Sequence, residues 1–116
     1  MNGIEISIEG DVRVLTFGPE YQTIGTELIG PLSDFFSETA KTPPYKIVLH
    51  MPFTTFFGSS FLECVLRLWN RLKPVQGRLA VAGLSPHCMD VMCVARLNQL
   101  WLVTDTLAEA LTGLAS

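Results

Sequence analysis

At the N-terminal end, apolar and polar positions alternate with a period of two. Ile4, Ile6 and Ile8 interleave with Glu5, Ser7 and Glu9, the pattern of a half-buried strand. Glu9-Gly10-Asp11 supplies a turn. Val12, Val14 and Thr16 then share one face of a second strand, to which Leu15 and Phe17 add apolar bulk, and Gly18-Pro19 ends it. From Ile24 to Phe36 the spacing becomes helical, with Ile24, Leu28, Leu32 and Phe35/Phe36 on one side and Pro31 inside the pattern. Proline is tolerated in a first turn but kinks an interior, so the helix either starts near Gly30 or bends there.

Thr42-Pro43-Pro44 breaks the chain, and Lys46-Ile47-Val48-Leu49-His50 reads as a short buried strand. A helix is predicted from about Ser60 to Lys73, with Leu62, Val65/Leu66, Trp69 and Leu72 as its core stripe and Glu63–Arg67 as an i,i+4 ion pair. Arg78–Ala82 is another strand. Ser85-Pro86 opens a helix to about Leu97, and Trp101–Val103 is a last strand. Thr106-x-x-Glu109 is a capping box for a final helix. The order β-β-α-β-α-β-α-β-α implies one α/β domain over residues 1–116. Its sheet should be mixed but mostly parallel, with four to five strands and about four helices.

Composition narrows the function classes. The chain is 48% apolar and 16% charged, with a net charge of −3, which excludes disorder and argues against a nucleic-acid partner. Its longest charge-free stretch, from Ile47 to Leu62, contains His50, Pro52, Thr54, Thr55 and Gly58-Ser59-Ser60, too short and too polar to span a membrane. Met1-Asn2-Gly3-Ile4-Glu5 has no basic-then-apolar pattern of a secretory signal. With Cys64, Cys88 and Cys93 as an odd, sparse set, the expectation is a cytoplasmic protein with reduced thiols.

Catalytic chemistry is thinly supplied. His50 and His87 are the only histidines, and His87-Cys88-x4-Cys93 lacks the spacing of a metal site. Cys64, amid Val65, Leu66 and Leu68, reads as a small hydrophobe. Neither GxGxxG nor a GKS or GKT ending is present. The reading is of a chain that is not an enzyme and needs no metal or cofactor.

The informative stretch is Met51 to Glu63, between a core strand and a helix. Four of the seven phenylalanines, Phe53, Phe56, Phe57 and Phe61, crowd into it around Gly58-Ser59-Ser60. The carboxyl ends of parallel strands and the positive ends of helices are favoured ligand and partner sites. Ser60-Phe61-Leu62-Glu63 also fits a simple capping box. A second apolar stripe, Phe61, Cys64 and Leu68, runs beside the core stripe. We read it, with Phe56, Phe57, Gly58, Ser59 and Ser60, as a partner-binding surface.

These features together resemble the STAS domain family of bacterial anti-sigma factor antagonists. The resemblance spans nearly the whole chain. It rests on the element order and on Ile47-Val48-Leu49-His50, Phe57-Gly58-Ser59-Ser60-Phe61-Leu62, Gln76 to Pro86, and Leu97-x-x-Leu100-Trp101. It implies a STAS-like fold and a module that binds an anti-sigma factor with serine-kinase activity. It also implies phosphorylation at Ser60, with Ser59 as the alternate, and a phosphatase that reverses it. Gly58 stands where the family pattern has Asp, Phe61 where it has Gly, and His50 where it often has an acidic or polar residue. Two other readings keep the fold. One is an unphosphorylated scaffold subunit that self-associates as a homo-oligomer through the same aromatics. The other is a small-molecule or nucleotide-binding domain.

Overall fold

A computed structural model of the chain describes residues 2–115. The alternating N-terminal residues form the predicted hairpin. Strands β1 (Ile4–Glu9) and β2 (Val12–Phe17) pair antiparallel without a bulge, from Ile4 opposite Phe17 to Glu9 opposite Val12. Gly10 turns the corner at a φ of 64°, a conformation that glycine adopts without steric cost. A two-residue strand, β3 (Thr23–Ile24), and a 3-10 turn at Thr26–Leu28 lead into helix α1 (Ile29–Thr39). Pro31 lies in the first turn of α1, where its missing N–H would have had no intrahelical acceptor, so the helix starts before it and runs on past it.

The chain continues through β4 (Lys46–His50), β5 (Phe56–Phe57), α2 (Ser59–Leu72), β6 (Arg78–Ala82), α3 (Pro86–Val94), β7 (Leu102–Thr104) and α4 (Leu107–Leu114). The main sheet has five strands in the order β1-β2-β4-β6-β7, parallel except for β1. This is the α/β architecture expected from the element order. Strands β3 and β5 form a separate parallel bridge, Thr23 opposite Phe56 and Ile24 opposite Phe57, which no sequence pattern announced. Helix α3 stops at Val94 instead of near Leu97, and Arg96 just beyond it takes a left-handed φ of 60°.

Helices cover both sheet faces, so β4 and β6 are buried on both sides. Leu15, Phe17, Ile47, Leu49, Leu79 and Val81 face the large core under α1, α2 and α3. Val12, Val14, Val48, Ala80 and Ala82 pack against Ala110 and Leu114 of α4. Phe17 is the hub of the larger core, edge-on to Tyr21 at 5.2 Å, Phe36 at 6.4 Å and Phe61 at 6.5 Å between ring centroids. The capping box on α4 forms as expected: Thr106 N–H donates to Glu109 Oε1 and Glu109 N–H to Thr106 Oγ1, both at 3.1 Å.

Two sequence expectations change. Ile6 and Ile8 are each 54% exposed rather than half-buried, because β1 is the outermost strand and an open cleft separates them from Phe35 of α1. Among the described residues the ion pairs are Glu38–Lys41 and Asp11–Lys46, and Glu63–Arg67 is not formed. Arg67 instead lies beside the Cys64 thiol.

Candidate functional site at the start of helix α2

Strand β4 delivers the chain to the carboxyl edge of the sheet, where Met51 N–H donates to Ala82 C=O at 2.9 Å. The following loop is pinned rather than free. Thr54, 1% exposed, donates its hydroxyl to Tyr21 C=O at 2.8 Å. Thr55 N–H donates to Gln22 C=O at 2.8 Å, and the β3–β5 bridge holds Phe56 and Phe57 extended. Gly58 is the N-cap of α2, extended at φ −102° and ψ −176°, with no side-chain cap.

The Ser60 capping box is therefore corrected. The cap lies two residues earlier, at Gly58, leaving Ser59 and Ser60 as the first two residues of the helix with neither hydroxyl used as a cap. Their N–H groups lie in the turn that has no intrahelical acceptors, at the positive end of the helix. Ser59 is exposed and Ser60 half-buried. A Cβ at Gly58 would meet nothing within 4 Å, so the fold leaves room for the Asp of the family pattern.

The expected partner surface divides in two. Phe57, Phe61, Cys64 and Leu68 are 2%, 0%, 1% and 1% exposed, so none of them is surface. The buried face of α2 is Phe61, Cys64, Val65, Leu68 and Leu72, while Leu62, Leu66 and Trp69 are only partly buried at its flank. The helix lies rotated from the expected position because it packs against α1 as well as the sheet. Phe61 packs its ring on Phe57 at 5.1 Å and on Phe17, so its bulk lies in the core and not over the serines.

Phe53 and Phe56 remain outside, 49% and 48% exposed. Phe56 stacks on His87 at 6.0 Å with the rings 10° from parallel. His87, which the spacing of His87-Cys88-x4-Cys93 gives no role, is exposed and belongs to this surface. The signal was present: Ser85-Pro86 places His87 in a helix's first turn, after a strand parallel to β4. Both turns then open at the same edge of the sheet. The expected Ser85 cap is formed, its hydroxyl accepting from Cys88 N–H at 3.3 Å.

The buried thiols are poor nucleophiles here. Burial pushes the Cys64 and Cys88 thiols up from their ordinary pKa, which disfavours the thiolate. Among the described residues, no three His, Cys, Asp or Glu side chains are grouped to hold a metal, and no helix is long and apolar enough to cross a membrane. A cleft of about 290 Å³ lies beside Trp69, Arg78 and Trp101, and another of about 390 Å³ beside Ile6, Ile8 and Phe35, both away from the serines.

His50, at the end of β4, sits with Nδ1 3.4 Å from Thr16 Oγ1. Burial holds its pKa below the ordinary value of 6.5. The unfolded chain therefore takes up the proton first. The stability contributed by neutral His50 is full above the ordinary value and is lost as pH falls from there towards the folded pKa. The urea midpoint should fall more between pH 7 and pH 5 in the wild type than in His50→Gln. Equal falls would show that His50 does not carry the dependence.

Two exposed aromatic rings, an exposed histidine and a pair of helix-opening serines thus lie at the carboxyl edge of a mostly parallel sheet. Comparison with solved structures identifies the fold. The chain is 30% identical over 97% of its length to an anti-sigma-factor antagonist (STAS) domain protein from Planctomyces limnophilus, covering 98% of that chain with a TM-score of 0.89. An anti-sigma factor antagonist from Mycobacterium paratuberculosis matches 97% of this chain and 93% of its own, at 20% identity and a TM-score of 0.82. The STAS domain of a SulP transporter from Vibrio cholerae shares the fold at 10% identity, with a TM-score of 0.73 over 92% of this chain and 83% of that one. No protein-family model and no curated protein matches the sequence. The chain belongs to the family of anti-sigma-factor antagonist (STAS) domain proteins.

Proposed function

We propose that the chain is a non-catalytic regulatory module that binds an anti-sigma factor through the start of α2. The observation that carries this reading is the group of exposed side chains Phe53, Phe56 and His87, close in the chain or across the sheet edge to exposed Ser59 and half-buried Ser60. Aromatic side chains anchor interfaces because they bury a large area with few rotors, and a polar rim around them excludes water. Ser60 is the proposed phosphoacceptor, with Ser59 as the alternate, and a kinase and a phosphatase set the state of the switch. The module acts in the cytoplasm, where its three free cysteines stay reduced.

The test is binding by an anti-sigma factor encoded near this chain. Phe56→Ala should weaken that binding at least tenfold, since truncating an interface anchor costs 2 kcal/mol or more, while thermal stability stays near the wild type. Unchanged binding in a Phe53→Ala/Phe56→Ala double variant would refute the docking surface. A complex that forms but never carries phosphate at Ser59 or Ser60 would favour the scaffold reading, which the absence of a carboxylate at Gly58 also supports.

A further inference from the structure

The open edge of the sheet carries a second surface, remote from the serines. Strand β1 is the outermost strand, and among the described residues none pairs with its outer side. Natural edge strands are usually blunted by proline, a bulge, short length or charged side chains, lysine above all, and of these β1 carries only Glu5 and Glu9. Strand β1 has six residues, Ile-Glu-Ile-Ser-Ile-Glu, with an unbroken register to β2. Its outer backbone groups are readily assigned. Gly18 N–H donates to Gly3 C=O at 2.7 Å, in line with the Ile4–Phe17 register. By the alternation of an antiparallel ladder, Gly3, Glu5, Ser7 and Glu9 turn their backbone groups to β2, and Ile4, Ile6 and Ile8 turn theirs to the open edge.

We infer that this edge pairs antiparallel with β1 of a second copy of the chain, about a two-fold axis at Ile6. In that register Ile6 faces the partner's Ile6 and Ile4 faces the partner's Ile8. All three isoleucines then present bonding groups to one another, giving about six new hydrogen bonds. The Ile6 and Ile8 side chains, each 54% exposed, merge with their counterparts into one apolar stripe.

The charges select this register. Glu5 faces the partner's Ser7, and Glu9 faces the partner's Gly3. Moving the axis to Ser7 would set Glu5 against the partner's Glu9, twice. Those pairs would fall at the non-bonded positions, where Cα atoms approach to about 4.5 Å and like charges repel most. Of the two alignments that overlap most of the strand, this one alone keeps the glutamates apart. A single short edge buries less than the roughly 1,200 Å² of stable complexes, so the dimer is weak and concentration-dependent.

Sedimentation velocity of the full chain should show monomer passing to dimer between about 10 µM and about 1 mM, the regime of so small an interface. Ile6→Lys, which places two ammonium groups at the axis, should raise the dimer Kd at least tenfold without lowering Tm, because Ile6 is already exposed in the monomer. A second measurement checks the register in a Cys93→Ser background. Ile6→Cys should form an intermolecular disulfide on mild oxidation, since bonded pairs lie about 5.5 Å apart at Cα, and Ser7→Cys should not. A wild type that stays monomeric at the highest concentration would overturn the inference. So would a dimer that survives Ile6→Lys but is lost in Phe56→Ala, or cross-linking by Ser7→Cys in place of Ile6→Cys.

Discussion

Phe61→Ala should lower the stability of the domain by about 3–5 kcal/mol, the range for deleting a fully buried phenylalanine ring. The side chain is 0% exposed and packs on Phe17 and Phe57, so its loss leaves a void in the larger core, shared by α1, α2 and the sheet. Since whole domains are stable by only about 5–15 kcal/mol, Tm should fall by roughly 10–30 °C, with the urea m-value unchanged. Phe56→Ala, five positions earlier and 48% exposed, should cost under about 1 kcal/mol, chiefly the lost stack on His87. The two substitutions therefore separate core from surface within one short stretch. A Phe61→Ala protein melting within a few degrees of the wild type would return Phe61 to the surface.

Phosphorylation of Ser60 should abolish partner binding while leaving the fold almost untouched. A phosphate there adds about −1.5 to −2 charges at the second residue of α2. The helix end favours that charge by about 0.3–1 kcal/mol, and Glu63, three residues on along the same helix, opposes it by a few tenths. Within the chain these effects nearly cancel. At the interface they do not, because a charge desolvated without a partner there costs about 2–5 kcal/mol. That is a loss of roughly 30-fold to several thousand-fold in affinity. Titration calorimetry on phosphorylated chain, or on Ser60→Glu as a weaker mimic, reads it directly. Equal affinity of the two forms would remove the switch while leaving the docking surface standing. A large fall in Tm would mean that the charge acts through the fold instead.

Features governed by near neighbours in the chain were legible in the residues themselves. Alternation over Ile4–Glu9 and Val12–Phe17 produced the hairpin, and Ser85-Pro86 and Thr106-x-x-Glu109 opened their helices as read. These depend on period, capping hydroxyls and turn glycines, which act over a few residues. The resemblance that led to the right family rested on the order of these locally determined elements and on four short stretches, Phe57-Gly58-Ser59-Ser60-Phe61-Leu62 among them.

Where α2 begins was not decided locally. Gly58 and Ser60 are both good N-caps, and the choice fell to Gly58 because the bridge to Thr23–Ile24 holds Phe56 and Phe57 as strand up to that residue. Nor was the buried face of α2. Phe61, Cys64 and Leu68 form one apolar stripe at helical spacing, and Leu62, Val65/Leu66, Trp69 and Leu72 form another. The positions of α1 and the sheet enclose the whole of the first and, of the second, Val65 and Leu72. Ile6 and Ile8 repeat the lesson on the strand: period two puts them on one face, but burial needs close cover, and at the outermost strand an open cleft lies between them and Phe35 of α1. Periodicity thus tells which residues share a side. Burial is set by what distant parts of the chain bring against that side: of the expected surface it enclosed Phe57, Phe61, Cys64 and Leu68 and left Phe56 outside, and it left Ile6 and Ile8 exposed as well.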